Sequence, residues 1–167
     1  MSGKYSYLKK YVGHNDLKGT YFLPVEEQEI IRAEEKMGQL FPSHLREFYK
    51  EVGTGILTCG EKYPEMLVRS IINEILPPHI AVDYMQGIIE HPDEDPYYMS
   101  RDTYEDLETG DLPFFEISDG SSFMILKLNS DNPNAVWYMG MEKVEDSLER
   151  FIWRLYHEGP NYYTENW

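Results

Sequence analysis

The chain has 167 residues, with 30 acidic side chains against 15 lysines and arginines and a formal net charge of -15. That charge argues against direct binding to nucleic acid or to anionic lipid, since both depend on cationic side chains. Its field instead steers basic proteins or metal cations, although acidity also serves solubility alone. With 41% hydrophobic and 14% aromatic residues, the chain can bury a sizeable core, and its length is that of one domain of roughly 100–200 residues. A single domain over residues 1–167 is the expectation. Cys59 is the one cysteine, so no intrachain disulfide can form and a reducing compartment suits the chain. No apolar run approaches the ~20 residues that cross a bilayer. The start, Met1-Ser2-Gly3-Lys4-Tyr5, has no apolar signal core. A cytoplasmic location follows as the expectation.

The first helix signal runs from Val25 to Met37. Ile30, Ala33 and Met37 fall on one face, Ile31 widens it, and Gly38 supplies the stop. Leu40-Phe41-Pro42 leads into a second helix, where Leu45, Phe48, Tyr49 and Val52 share a face before Gly53. A third amphipathic segment extends from about Glu65 to Leu76 and is stopped by Pro77-Pro78. The stretch from His79 to Ile89 is ambiguous, and His91 to Asp111 reads as a polar loop.

The period then changes. Phe114 to Ser118 and Ser122 to Leu128 are strand-like runs joined by a turn containing Asp119-Gly120. A second turn, Asn129 to Asn134, precedes a third strand from Ala135 to Met141. On that strand Trp137 and Tyr138 must point to opposite faces. The last helix opens on Asp146 and Glu149, which have the spacing of a capping box. Its apolar face is Leu148, Phe151, Ile152 and Leu155, Trp153 lies at the edge of that stripe, and Gly159-Pro160 ends it. Tyr162, Tyr163 and Trp167 beyond it either staple the tail to the body or form a contact patch. Helices, a strand meander and a closing helix make an α+β chain.

This order resembles one family. Glu29 through Pro42, an acidic helix ending in Met37-Gly38 with an apolar-Pro step after it, looks like the opening signature of the SUKH superfamily. That group comprises bacterial immunity proteins related to the yeast Smi/Knr cell-wall-synthesis regulator. The second helix Leu45 to Gly53, the step Ile75-Leu76-Pro77-Pro78, and Leu112-Pro113-Phe114-Phe115 running to Asp119-Gly120 continue the likeness. So do Ala135-Val136-Trp137-Tyr138 and Asp146 to Phe151, and the match covers about residues 25–156. The chain departs from the pattern at Met37, where leucine is commoner, at Gly53-Thr54-Gly55, and in its long loop. The resemblance implies a mostly antiparallel sheet with flanking helices. It also implies an immunity protein that binds and neutralises a polymorphic toxin, often a nuclease-type enzyme. The relation to the yeast regulator offers the alternative of a non-catalytic regulatory scaffold with several partners. The family brings no catalytic set.

The most informative local feature is the segment from Glu90 to Asp111, where nine acids face one base, Arg101, and hold about half of the net negative charge. Tyr97, Tyr98, Met99 and Tyr104 are interleaved with them. Two readings stand. In the first, Glu90, Asp93, Glu94, Asp95, Asp102, Glu105 and Asp106 steer a basic partner while Tyr97, Tyr98 and Tyr104 anchor it. In the second, a solvated loop packs its tyrosines back on the sheet. Asp and Glu belong mostly to interface rims, so the acids would surround the contact.

His91, Asp93 and Asp95 alternate, but they lack the glycine and distal glutamate of a calcium loop, and no HExxH or CxxC occurs. Neither a metal nor a cofactor is expected. Cys59 sits in no nucleophile motif, and Gly53-Thr54-Gly55 follows a helix rather than opening one, unlike a phosphate-cradling loop. No catalytic residues are assigned, and a non-enzymatic binding protein is expected.

Overall fold

The computed structural model describes residues 3–14, 19–57, 73–94, 97–118, 120–159 and 161–164. Among the described residues seven strands form one antiparallel meander in chain order: β1 (Tyr21–Leu23), β2 (Thr54–Ile56), β3 (Glu74–Ile75), β4 (Asp111–Ser118), β5 (Ser122–Lys127), β6 (Val136–Tyr138) and β7 (Glu142–Glu145). Helices α1 (Glu27–Met37), α2 (Ser43–Glu51), α3 (Pro78–Met85), α4 (Arg101–Glu105), α5 (Leu148–Glu158) and α6 (Asn161–Thr164) flank it. The architecture is the α+β one expected.

The centre of the sheet is the centre of the core. Phe123, Met124, Ile125 and Leu126 of β5 are all fully buried. Successive strand positions point to opposite faces, so both faces are covered there. Phe151 of α5 sits edge-on to Phe115 of β4, with ring centroids 5.3 Å apart, and close to Phe114 at 6.3 Å. Such aromatic pairs add about 0.5–1.5 kcal/mol beyond the area they bury. Tyr84 of α3 meets Phe123 of β5 in the same manner at 5.7 Å.

Helix α1 begins where Glu29 reaches back to accept the Glu26 N–H at 3.0 Å, and it ends at Gly38. Glu34, on its inner face, is 6% exposed. Its carboxylate accepts the Phe41 N–H at 2.8 Å and the Arg46 Nε–H at 3.2 Å, tying α1 to the start of α2. Helix α5 starts one residue later than the capping-box spacing suggests. Ser147 is its N-cap, accepting from the Arg150 N–H at 3.1 Å, while Asp146 turns outward to pair with Lys143 at 2.8 Å.

Several elements are not apparent from periodicity. The N-terminal turn of 3-10 helix, Ser6–Tyr11, buries Leu8 and Tyr11, and Tyr5 before it is fully buried. Tyr5 packs on Phe48 at 5.0 Å and donates its hydroxyl to the His44 carbonyl at 3.0 Å. Thr54-Gly55-Ile56 is strand β2, and Gly55 lies so close to β1 that an added Cβ would sit 2.1 Å from the Tyr21 carbonyl oxygen. That glycine serves strand approach, not phosphate binding. Of the segment expected to be amphipathic from Glu65 to Leu76, Glu74 and Ile75 are a strand; its earlier part and Cys59 lie outside the described residues. His79 to Met85 resolves as α3. Tyr163 is buried with its hydroxyl on Asn73, and Tyr162 bonds Glu145 beneath the Arg154 guanidinium. These two tail tyrosines therefore staple the end of the chain to the body; Pro160 and Trp167 lie outside the described residues.

Glu34→Ala should lower stability by about 1–3 kcal/mol, because it leaves a buried N–H and Arg46 without their acceptor. Glu34→Gln, which keeps an acceptor for Phe41, should cost less. Urea midpoints at unchanged slope measure both.

Candidate functional site

Between β3 and β4 the chain builds the acidic segment on α3, a short extended pairing, and α4. Glu90 and Tyr98 form an isolated antiparallel bridge, and the Met99 N–H donates to the Ile89 carbonyl at 2.9 Å. Residues opposite one another across such a bridge share a face. Exposed Glu90 and the ring of Tyr98, 42% exposed, are therefore neighbours, with Ile88, 43% exposed, two positions along. Met99, pointing the other way, is 1% exposed.

The segment is tied to the β4–β5 turn. The Ser100 N–H donates to the Gly120 carbonyl at 2.8 Å, and the Thr103 hydroxyl donates to the Ser121 carbonyl at 3.2 Å. Ser100 caps α4 by accepting the Thr103 N–H at 3.2 Å. Gly120 has φ +72°, and a Cβ there would lie 2.7 Å from two ring carbons of Tyr98. Only glycine lets the turn and the tyrosine ring come this close.

A second set of ties holds the segment to α3 and α1. Asp83 accepts from His91 Nε2 at 2.9 Å through one oxygen and pairs with Lys36 of α1 through the other. Burial works against the Asp83 carboxylate, but the hydrogen bonds and charges of Lys36 and His91 outweigh it and hold its pKa below the usual aspartate value. His79 Nε2 lies 2.8 Å from Glu94 Oε2.

The side chains proposed for partner contact divide into groups. Glu90, Asp93, Glu94, Asp102, Glu105 and Asp106 are exposed along this segment, as is Tyr98. Tyr97 is half-buried, and its hydroxyl donates to the Glu74 carboxylate, whose pKa is raised by burial against the pull of that hydrogen bond. Tyr104 is also half-buried, with its hydroxyl beside Gly87. Asp95 and Asp119 lie outside the described residues. Asp111, the last acid of the segment, is 3% exposed and pairs inward with Lys127 at 3.2 Å. The supports His79, Asp83 and His91 carry no sequence signal of their role, and Gly120 signals the turn but not its contact with Tyr98. The direction of the tyrosines does carry one, since adjacent residues in an extended stretch must face opposite ways.

A second groove, about 620 Å³, runs along α5 by Lys4, Trp153 and Arg154. Its cations are already matched: Lys4 with Glu47 at 3.2 Å, Arg150 with Glu145 at 3.4 Å and Arg154 with Glu158 at 2.9 Å. Each of its three cations thus has a carboxylate partner, so the groove does not display the run of exposed acids that marks the acidic segment. Among the described residues no group of three or more His, Cys, Asp or Glu is placed to hold a metal ion, and no helix is long and apolar enough to cross a membrane.

The profile of the SMI1 / KNR4 family (SUKH-1) matches residues 24–154. The chain belongs to the SMI1/KNR4 (SUKH-1) family. It is also 31% identical over 144 residues to "Immunity protein YxxD" of Bacillus subtilis (strain 168), an alignment covering 86% of this chain and 88% of that protein. No solved structure gives a significant match. The family match begins after β1 and stops within α5, so the N-terminal turn carrying Tyr5 and the tail carrying Tyr163 lie outside the matched span.

Gly120→Ala should shift the amide and ring resonances of residues 97–100 and cost about 1–3 kcal/mol, from forcing a side chain into left-handed backbone against Tyr98. Unchanged NMR shifts in that stretch would remove the turn from the support of the segment. For Asp83, the depressed folded-state pKa means its contribution is full above the unfolded value of about 3.9 and is lost as pH falls through the lower folded value. The stability gap between the wild type and Asp83→Asn should therefore be widest near neutral pH and should narrow as the pH falls below about 3.9, as read by denaturant unfolding at each pH.

Proposed function

We propose that this chain is an immunity protein, which binds a cognate protein toxin and blocks it by covering its working surface. The observation that carries this reading is the display of carboxylates on a braced segment: Glu90, Asp93, Asp102, Glu105 and Asp106 are exposed and make no ion pair among the described residues, and the segment that carries them is tied to two separate parts of the body. The 31% identity to a protein named as an immunity protein supports the same reading, as does family membership. The toxin is a nucleic-acid-directed enzyme in this proposal, because a surface that holds phosphates must be basic and so complements an acidic one. The chain acts in the cytoplasm by binding, not catalysis.

In this scheme Tyr98, with Ile88 beside it, supplies the apolar centre of the contact, and the exposed acids form its rim. Tyr97 and Tyr104 support it from beneath. Preorganised loops lose little conformational entropy on binding, so the bracing favours affinity.

Co-expression with the toxin domain encoded beside this gene should restore growth, and the two chains should co-purify at low salt. Changing Asp93, Glu94 and Asp102 together to Lys should slow association roughly tenfold or more and flatten its dependence on ionic strength. An unchanged on-rate would assign the acidity to solubility, and toxicity undiminished by co-expression, with no complex, would reject the immunity role.

A further inference from the structure

Beside the acidic segment lies a groove of about 550 Å³, within the size range of sites that seat ligands and side chains. Met85 of α3, Tyr104 of α4, Leu107 and Leu128 line it, and all four are half-buried and packed against the core. Glu105 and Glu108 also line it. Glu105 is exposed and makes no ion pair among the described residues. The Glu108 side chain is 80% exposed and, among the described residues, pairs with Lys127 alone, at 3.4 Å, a lysine whose closer partner is the buried Asp111 at 3.2 Å. The groove thus combines an apolar floor, an aromatic ring and two under-compensated carboxylates.

We propose that this groove receives one arginine side chain of the protein partner; this rests on the reading above that the partner is basic. The chemistry selects arginine over other side chains. Its three methylenes suit a floor of methionine and leucine, its planar guanidinium stacks on a tyrosine ring, and its fork of N–H donors serves two carboxylates at once. Lysine would satisfy the charge but neither the stacking nor the fork. The floor belongs to the core and Tyr104 is seated against Gly87, where a Cβ would come within 2.9 Å of its hydroxyl, so the slot exists before a partner arrives. An arginine anchored there would turn diffuse steering by the acidic segment into a defined register.

The test uses the whole chain without any toxin. In a ¹H–¹⁵N titration, N-acetyl-arginine amide should shift the amides of Leu107, Gly110 and Leu128 in a saturable manner. The citrulline analogue, equal in shape but uncharged, should leave them unmoved, and the lysine analogue should bind several-fold more weakly. Glu105→Gln with Glu108→Gln should weaken the arginine response about three- to five-fold. Equal shifts from citrulline or lysine would overturn the assignment, as would arginine shifts centred on Asp93 and Glu94 instead of the groove. The two readings fail separately. Arginine binding with no toxin captured would leave the groove and remove the immunity role, whereas toxin capture without arginine binding would do the reverse.

Discussion

Beneath the turn between β4 and β5 a carboxylate is buried, directly across the sheet from Glu74 of β3. Glu116, 3% exposed, accepts the Gly120 N–H at 2.8 Å. A buried acid is tolerable only where its hydrogen bonds are met, and one met this way determines the shape of the loop that meets it. That loop in turn accepts the Ser100 N–H through the Gly120 carbonyl and lets Tyr98 rest on a glycine without a side chain. The conformation of the acidic segment is thereby linked to the buried β4–β5 hairpin. Disturbance at Glu116 would propagate to Tyr98 through two hydrogen bonds, with no need for the acids themselves to move.

The segment also has to overcome its own charge. Like charges brought together on one stretch repel, and on an isolated chain they would favour expansion. Each end is accordingly held by an interaction that charge assists. His91 and Lys36 converge on Asp83 at one end, and Asp111 takes Lys127 at the other, with Glu94 meeting His79 between them. The acids left over are those that point outward. Where the chain uses acids for structure it buries them against a cation or an N–H, as with Glu34, Asp83, Asp111 and Glu116.

Long elements with a sustained period are readable from the residues themselves. Ile30 and Ala33 mark α1, Leu45, Phe48 and Tyr49 mark α2, and Leu148, Phe151, Ile152 and Leu155 mark α5, and each of these is buried as the spacing implies. Strands β4 to β6 follow from apolar runs between turn residues. The two- and three-residue strands β1, β2 and β3 are not readable, since they exist only through pairing: Gly55 finds Phe22 on one side and Ile75 on the other. Propensity disfavours a glycine there, and tertiary contact overrides it. The spacing of Tyr5, Leu8 and Tyr11 by three was available as a 3-10 signal for a buried N-terminal turn. At the candidate site, the charge and the tyrosines were legible. Adjacent tyrosines in an extended stretch had to face opposite ways, but the partner that receives Tyr97, Glu74, was not legible, because it comes from a strand remote in sequence.

A braced acidic surface behaves differently from an acidic tail of equal charge. A flexible tail raises the encounter rate but must be ordered on binding, and that entropy opposes the complex. Charges held on a segment anchored at both ends steer equally well within a Debye length of about 8–10 Å and present a fixed pattern on arrival. Fixed patterns discriminate, since a partner whose cations are misplaced leaves desolvated carboxylates without partners. The exposed pair of Ile88 and Tyr98 then matters more than its size suggests. Charge of this sign would draw basic proteins in general to this face, and under the proposed function the shape between the charges, the apolar pair and the groove by Leu107, would distinguish among them.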